Sequence, residues 1–413
     1  MYKEPLYVGR PNIGSQSGFI QRVNDILERR WLTNNGPYVV EFENKICNMI
    51  GVRHCVAVCN ATIGLEILFR ALELTGEVIL PSFTFIATAH ALRNQDVTPV
   101  FCDIDPKTHN IDPEKVVPLI TRKTSAILGV HVWGNACEIS NLDEIAKLYQ
   151  VKLLFDAAHA FGCSHHGSMI GTFGDAEVFS FHATKYLNSI EGGAIVTNND
   201  ELAEKLRLMR NFGFSGYDNV VHLGTNAKMT EMSAAMGITN LEFAHDFISV
   251  NFQNYHLYRE SLESIPGIRI LAYDEKEHNN YHYVIIEIDD SRAGIDRDTL
   301  MKILHAENII ARRYFYPGCH RMEPYRSMYP NFDQSLPETD GLVKKVMSLP
   351  NGTSITPNDV KTVSSLIGFA IRNAAEIRVK LLEREKKLTY QSNLDRYVFP
   401  NPTSIHYQDE VGV

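Results

Sequence analysis

The chain has 413 residues, which at about 150 residues per domain suggests two or three domains with room for a large buried core. Hydrophobic residues make up 44% and charged residues 22%, so the composition excludes a disordered, collagenous or coiled-coil chain. The net charge is −9, from 40 Lys and Arg against 49 Asp and Glu, with both signs interspersed. This balance argues against broad binding to nucleic acid or a membrane surface, and it still permits a small anionic ligand.

The sequence also bears on compartment and metal binding. No apolar run approaches the roughly 20 residues of a membrane helix, and the first residues, MYKEPLYVGRPNIG, lack the apolar core of a signal peptide. The chain has 7 cysteines, an odd number without a C-x-x-C pair, which favours reduced thiols. Cys163, His165 and His166 come nearest to a metal cluster, but without a second ligand pair this spacing is typical of a surface loop. We therefore predict a cytoplasmic protein without a metal site.

Short apolar runs alternate with helix-like stretches between residues 55 and 200. The runs are CVAVC at 55–59, VIL at 78–80, PVFC at 99–102, SAILGV at 125–130, KLLF at 152–155, EVFSF at 177–181 and GAIV at 193–196. Seven buried strands with intervening helices predict an α/β fold with a mainly parallel sheet covered on both faces. One of these helices is expected from Leu65 to Leu74, where apolar residues recur at helical spacing.

The second half of the chain predicts a smaller domain. Residues 231–264 read as one long helix or two in series, ended by Pro266 and Gly267. The segments IRILAYD, YHYVIIEID, DRDTLMKILHAEN and IIARRYFY then suggest an α+β domain closed by helices up to about residue 390. The charged segment 376–388 is typical of a solvated helix face. We place a large domain at 1–248 and a small one at 249–413.

Polar residues follow several of the predicted strands, at the edge of the sheet where ligands of open α/β proteins bind. The run KLLF is followed by Asp156, and the run EVFSF leads to Lys185. CVAVC is followed by Asn60, Ala61 and Thr62, which open a helix and offer free amides to a phosphate. A lysine, a carboxylate and phosphate-binding amides at one edge are what pyridoxal 5′-phosphate requires, with Phe85 expected to lie on its ring.

Six motifs carry a resemblance to a known family over about residues 9–371. They are WLTNNGPYVVEFE, CNATIGLEI, LPSFTFIATAHA, FDAAHAFGC, GDAEVFSFHATKYLNSIEGGAIVTNN and GTNAKMTEMSAAMG. With these motifs the chain resembles the DegT/DnrJ/StrS family of sugar aminotransferases, within the fold-type I aminotransferase group. The resemblance implies a large domain with a seven-stranded sheet, a smaller C-terminal α+β domain, and a homodimer with shared active sites. The pattern looks most like the members that aminate C4 of a dTDP-4-keto-6-deoxyglucose.

The resemblance also implies roles for residues around the cofactor. Lys185 would bind the cofactor covalently, Asp156 would pair with its pyridinium nitrogen, and Phe85 would stack on its ring. His159 stands where many members carry glutamine beside the ring hydroxyl, which is a departure from the commonest pattern. The phosphate would be bound by Thr62, the amide of Ile63 and Ser180, and by Asn226 of the neighbouring subunit.

The reaction implied is transfer of an amino group from L-glutamate to the C4 ketone of the nucleotide sugar, with Lys185 as general base and acid. The diphosphate needs cations and the sugar needs a pocket, for which the candidates are Arg29, Arg30, Arg312, Arg313, Tyr314 and Tyr316. Three alternatives stay open: a C3 aminotransferase, a dehydratase or lyase on a deoxysugar, and a regulatory protein that binds the cofactor without turnover. Some dehydrating relatives lack the lysine, whereas this chain retains Lys185, so transamination is preferred.

Overall fold

The computed structural model describes residues 2–329 and 336–383. Its strands are β1 (Leu6–Tyr7), β2 (His54–Val58), β3 (Glu77–Pro81), β4 (Thr98–Cys102), β5 (Thr124–Val130), β6 (Lys152–Asp156), β7 (Ser164–His165), β8 (Ser168–Met169), β9 (Ala176–Ser180), β10 (Gly193–Thr197), β11 (Ile268–Ile270), β12 (Val284–Ile288), β13 (Ile309–Ile310) and β14 (Val346–Leu349). Each of the seven strands predicted between residues 55 and 200 is present, within a residue or two of its expected bounds.

The helices cover both faces of the main sheet and build the C-terminal half. They are α1 (Gln16–Arg29), α2 (Pro37–Ile50), α3 (Ala61–Ala71), α4 (Ile86–Arg93), α5 (Pro113–Val116), α6 (Ile139–Tyr149), α7 (Asp200–Met209), α8 (Glu231–Leu241), α9 (Ala244–Leu262), α10 (Asp290–Ala293), α11 (Arg297–Ala306), α12 (Tyr325–Met328), α13 (Pro337–Leu342) and α14 (Pro357–Arg372). Short 3₁₀ helices occupy Val117–Leu119, Val132–Gly134 and Cys319–Arg321. No helix among the described residues is long and apolar enough to cross a membrane.

The main sheet has seven strands in the order β2-β10-β9-β6-β5-β3-β4, and only β10 runs antiparallel to its neighbours. The carboxyl ends of β2, β3, β5, β6 and β9 therefore meet at one edge, together with the start of β10. This confirms the mainly parallel α/β sheet. It also brings the residues that follow those strands to one side of the molecule.

Alternating residues of each strand point to two separate cores. In β6, Leu153 and Phe155 join a cluster with residues of α2 and α6, whereas Leu154 joins a second cluster with residues of α3 and α7. Period-two alternation explains this division, because successive side chains of a strand point to opposite faces. Both faces are buried, so the strands are apolar throughout, as the sequence indicated.

The C-terminal half contains a three-stranded antiparallel sheet in the order β11-β12-β14, with a core shared by α9, α11 and α14. Residues 231–264 form two helices in series, and the second ends at Leu262, before Pro266. Of the run IIARRYFY only Ile309–Ile310 forms a strand, which pairs with β1 near the amino end of the chain.

The remaining predictions about chain segments concern helices. The predicted helix 65–74 begins earlier, at Ala61, because the Asn60 side chain caps its first turn, and it ends at Ala71. The predicted domain boundary between residues 248 and 249 falls inside α9 and stays a prediction. The charged segment 376–388 is helical and almost wholly exposed up to residue 383, and its remainder lies outside the described residues.

Candidate active site

Lys185 lies in a turn that follows β9 at the carboxyl edge of the sheet. Its backbone N–H donates to the carbonyl oxygen of His182 at 2.9 Å, and its side chain is only partly exposed. Burial lowers the pKa of Lys185 to about 8, and the opposing charge of Asp156 keeps it from falling further. A lysine of this kind holds a useful fraction of neutral amine near pH 7, so it is able to act as a nucleophile and a base.

Asp156 is the last residue of β6 and is 7% exposed. Its carboxylate accepts hydrogen bonds from the Thr88 hydroxyl at 2.8 Å and from the backbone N–H of Ala158 at 3.1 Å. Burial raises the pKa of Asp156, while these hydrogen bonds and the positive charge of Lys185 act in the opposite direction. The carboxylate is therefore fixed in direction and poorly solvated, and it would gain from a cationic partner.

The first turn of α3 lies beside the start of β10. A Cβ on Gly193 would come within 2.6 Å of the Ala61 nitrogen, so this close approach requires glycine. The Asn60 side chain accepts from the Ile63 N–H at 2.9 Å. The Ile63 amide thus has an internal partner, and binding phosphate as predicted would require it to share its hydrogen. The amides of Ala61 and Thr62 precede it in the first turn, where the helix supplies no acceptor.

Phe85 and Ser180 both lie near the carboxyl ends of strands, after β3 and at the end of β9. Phe85 is the residue before α4 and is 59% exposed, although it has a large apolar ring. Its carbonyl accepts from the N–H of Thr88, whose hydroxyl contacts Asp156, so the backbone of Phe85 lies one helical turn from the residue that binds that carboxylate. Ser180 ends β9 opposite Gly193, and its hydroxyl is only 3.4 Å from the His182 N–H.

His159 follows Asp156 by three residues and faces an aromatic cluster. Its Nδ1 accepts the backbone N–H of Trp133 at 3.2 Å, and its ring centroid lies 4.4 Å from that of Tyr283. Burial, together with the positive charge of Lys185, holds the pKa of His159 well below its usual value. The ring is therefore neutral with its hydrogen on Nε2, and it presents a donor rather than a charge.

Lys185 lines a small pocket. The residues that line it are Ala158, His159, Phe161, Ser180, Lys185, Tyr186, Leu187 and His282. His282 was not predicted as a site residue, and neither was Tyr283, whose hydroxyl lies 3.3 Å from the Lys185 amine. Both residues precede β12 of the small sheet, so a search of the carboxyl ends of the main sheet could not find them. Thr88, whose hydroxyl contacts Asp156, was not predicted either. In the sequence it is marked only by its position in the first turn of α4, three residues after Phe85.

A larger cavity of about 200 Å³ lies elsewhere on the chain and does not contain Lys185. Its lining residues are Asn34, Asn35, Val39, Arg207, Leu208, Arg210, Asn211, Lys228 and Met229. Asn34 and Asn35 have left-handed backbone φ angles of 65° and 58°, and the Arg210 guanidinium donates to Asn35 at 2.9 Å. Asn226 is exposed next to this cavity, in an isolated bridge with Asn211. The single chain therefore presents Asn226 on its surface and not beside Lys185.

The structure separates the six residues proposed for the substrate. Tyr314 is half-buried, with its ring 6.2 Å from Trp133 in the cluster that also contacts His159, and the Arg312 guanidinium lies 5.5 Å from the Tyr314 ring. These two residues adjoin the site. The side chain of Arg313 instead pairs with Asp298 at 3.0 Å.

The other members of that set point elsewhere. The guanidinium of Arg313 lies over the ring of Tyr316, 4.4 Å from the ring centroid. Arg29 and Arg30 are exposed at the end of α1, and Arg29 pairs with Asp25 at 2.8 Å, one turn back along the helix. The described contacts thus link Arg312 and Tyr314 to the aromatic cluster around His159, and the substrate roles of all six residues stay predictions.

The residues present fit pyridoxal 5′-phosphate. Lys185 supplies an amine of lowered pKa, and Asp156 supplies a buried carboxylate that forms no ion pair within the described part of the chain. The exposed Phe85 ring is an apolar surface that a planar ligand would cover, and the first turn of α3 offers amides to an anion. These residues therefore match the chemistry of the cofactor's aldehyde, ring nitrogen, ring face and phosphate.

Comparisons with known proteins agree with this reading. Over 365 residues the chain is 36% identical to a protein of Shigella dysenteriae named dTDP-4-amino-4,6-dideoxy-D-glucose transaminase, covering 88% of this chain and 99% of that one. A crystal structure of DesI in the presence of its TDP-sugar product matches with a TM-score of 0.87 and 46% identity, over 92% of this chain and 96% of that one. Helicobacter pylori PseC, an aminotransferase involved in the biosynthesis of pseudoaminic acid, matches with a TM-score of 0.84 and 25% identity, over 90% and 100%.

The model of one family covers residues 15–367. This range contains all six motifs quoted above, both ionisable groups at the sheet edge and the segment that leads into β12. The chain belongs to the DegT/DnrJ/EryC1/StrS aminotransferase family.

Proposed function

We propose that the protein transfers the amino group of L-glutamate to the C4 ketone of dTDP-4-keto-6-deoxy-D-glucose, giving dTDP-4-amino-4,6-dideoxy-D-glucose and 2-oxoglutarate. The observation that carries the chemistry is the partly buried Lys185, with its pKa lowered to about 8, facing the charge of Asp156 at one sheet edge. The choice of substrate rests on two relatives, a protein named dTDP-4-amino-4,6-dideoxy-D-glucose transaminase and DesI, whose crystal structure was analysed in the presence of its TDP-sugar product.

When bound, pyridoxal 5′-phosphate supplies an electron sink for the carbon that carries the amine. Asp156 would hold the ring nitrogen protonated, and the hydroxyl of Thr88 fixes the direction of that carboxylate. Phe85 would cover one face of the ring. The neutral His159 would donate from Nε2, and the Ala61 and Thr62 amides would hold the phosphate.

Lys185 carries the proton between the α-carbon of the amino acid and the cofactor. Its ε-amine takes the proton from the carbon of glutamate in the first half of the reaction and returns one to C4 of the sugar in the second half. Burial favours the neutral amine for the first step, and the nearby carboxylate of Asp156 limits how far the pKa falls. A base whose pKa lies near the working pH is able to perform both transfers.

The substrate assignment is tested by the product. The purified protein is incubated with L-glutamate and dTDP-4-keto-6-deoxyglucose, and the sugar nucleotide is analysed by NMR. The proposal requires an equatorial amine at C4 and one equivalent of 2-oxoglutarate. An amine at C3 would identify the alternative aminotransferase, and a deoxygenated sugar without an amine would identify a dehydratase or lyase.

Lys185→Ala provides the matched control for that assay. It should abolish transfer and leave the cofactor bound only noncovalently, because no amine remains to carry the proton. If the wild-type protein also leaves the absorbance of the cofactor unchanged when glutamate is added, the protein is a regulator that binds the cofactor without turnover.

We further propose a cytoplasmic homodimer in which Asn226 contacts the phosphate of the partner's cofactor. All seven cysteines are described and free, which is typical of a reducing compartment. Leu223, Val220 and Leu27 are 77%, 56% and 54% exposed, and such apolar side chains are typical of a covered surface. Light scattering should give twice the chain mass of 46.7 kDa, and Asn226→Ala should weaken cofactor binding without altering that mass. A monomer with full activity would exclude the shared site.

A further inference from the structure

The segment that leads into β12 contacts Lys185 at two points. The Lys185 amine donates to the hydroxyl of Tyr283 at 3.3 Å. The Nε2 atom of His282 lies 3.0 Å from the carbonyl oxygen of Thr184, which is the residue before the lysine. His282 and Tyr283 are each 7% exposed. Two consecutive residues of this segment thus reach both the amine of Lys185 and the peptide bond that precedes it.

The hydrogen bond of His282 determines its protonation. A carbonyl oxygen only accepts, so Nε2 must carry the hydrogen, and Nδ1 is buried without a hydrogen-bond partner among the described residues. Burial, followed by the charge of Lys185, lowers the pKa of His282 to about 4. His282 is therefore neutral near pH 7, and it anchors Thr184 without placing a second positive charge beside the lysine.

Tyr283 is held in place from several sides. Its ring centroid lies 5.3 Å from that of Trp133, and its carbonyl accepts from the Tyr273 hydroxyl at 2.9 Å. Burial keeps the pKa of Tyr283 well above its usual value, so the hydroxyl stays protonated. Next to it, Asn280 donates to the carbonyl of His159 at 2.8 Å and accepts from the N–H of His282 at 3.1 Å. The contact to Lys185 therefore comes from a segment that is itself fixed to the site.

We propose that Tyr283 and His282 hold Lys185 in position while its amine is free of the cofactor. The Tyr283 hydroxyl accepts a hydrogen bond from the ammonium group and so contacts the reacting nitrogen. His282 acts through the backbone and is a positioning residue. The inference rests on the proposed function for its purpose, namely to keep the released lysine beside the carbon from which it moves a proton. The holding itself concerns only the free amine and is measured without substrate.

The test compares two substitutions that each remove one buried hydroxyl. Tyr283→Phe removes the acceptor at Lys185, whereas Tyr273→Phe removes a hydroxyl from the same cluster that bonds to the carbonyls of Trp133 and Tyr283 and not to the lysine. The full-length chain, freed of cofactor, is labelled with trace acetic anhydride from pH 6 to pH 11. Peptide mass spectrometry then gives the pKa of Lys185 in each variant.

Loss of the acceptor removes one charge-assisted hydrogen bond from the ammonium form, so the pKa of Lys185 should fall by about one pH unit in Tyr283→Phe. Tyr273→Phe should leave it unchanged. An unchanged pKa in Tyr283→Phe, or an equal change in both variants, overturns the proposal. If Tyr283→Phe does not fold, Tyr283→Met also lacks the hydroxyl and takes its place. Absence of amino transfer with an intact Tyr283 effect would refute the proposed function and leave the holding of Lys185 standing.

The contribution of His282 is separated by a conservative pair. His282→Gln retains a side-chain N–H that reaches Thr184, and His282→Leu does not. The rate at which the cofactor-free chain recaptures pyridoxal 5′-phosphate should fall about threefold to tenfold in His282→Leu and recover in His282→Gln, as expected for loss of one neutral hydrogen bond. Equal rates in both variants would show that His282 only fills space.

Discussion

The lowered pKa of Lys185 leads to a quantitative prediction about how fast the protein captures its cofactor. Only the neutral amine attacks an aldehyde. With a pKa of about 8 in place of the ordinary 10.5, the neutral fraction at pH 7 is roughly a tenth in place of about one in 3,000, an increase of about 300-fold. The rate of covalent capture should therefore rise about tenfold per pH unit below pH 8 and level off above it.

Stopped-flow absorbance of cofactor-free protein mixed with pyridoxal 5′-phosphate measures this rate, and a small amine studied in parallel corrects for the titration of the cofactor itself. Asp156→Asn removes the negative charge that raises the pKa of Lys185, so the midpoint should move below pH 8. A midpoint near 10.5 in the wild-type protein would show that the lysine is not desolvated. A move to higher pH in Asp156→Asn would refute the coupling between the two groups.

The remaining predictions concern stability, cofactor and substrate. Lys185→Met should raise the melting temperature of the cofactor-free protein below pH 8, because it removes a desolvated charge; a fall would contradict the assignment. Arg210→Met should lower the free energy of unfolding by about 3–5 kcal/mol in urea titrations, because it leaves the buried carboxylate of Glu43 without its ion-pair partner; a loss below about 1 kcal/mol would contradict this. Phe85→Ala should weaken cofactor binding by about tenfold at unchanged melting temperature, whereas equal affinity would exclude ring stacking. Arg312→Glu should raise the KM for the sugar nucleotide more than that for glutamate; equal effects on the two KM values would remove Arg312 from the diphosphate site.

Much of the fold could be predicted from the sequence because the main sheet is buried on both faces. Apolar runs such as KLLF then occur without alternation, and this run ends at the polar Asp156 where the chain reaches the open edge. The same geometry brought Asp156 and Lys185 together in the prediction, since strands that run in parallel end at one edge. The antiparallel β10 did not disturb this, because its start lies at that edge too.

The site residues that were not predicted lie mostly outside the carboxyl edge of the main sheet. Tyr283 and His282 reach Lys185 from the start of a strand in another sheet, and no local spacing relates them to the lysine. Trp133 has a left-handed backbone with a φ of 64°, which places its ring among the aromatic residues of the site and has no sequence signal of its own. Ile63 is a local miss: Asn60 was recognised as a capping residue, but the hydrogen bond that its side chain accepts from the Ile63 amide was not predicted. Such contacts depend on how the layers pack.

The central claim is that the amine of Lys185 is the one that bonds to pyridoxal 5′-phosphate. Borohydride reduction of the cofactor-loaded protein, followed by proteolysis and mass spectrometry, identifies the modified lysine directly. The account predicts the reduced cofactor on Lys185 alone. A label on any other lysine, or a protein that stays colourless in the presence of the cofactor, would contradict it.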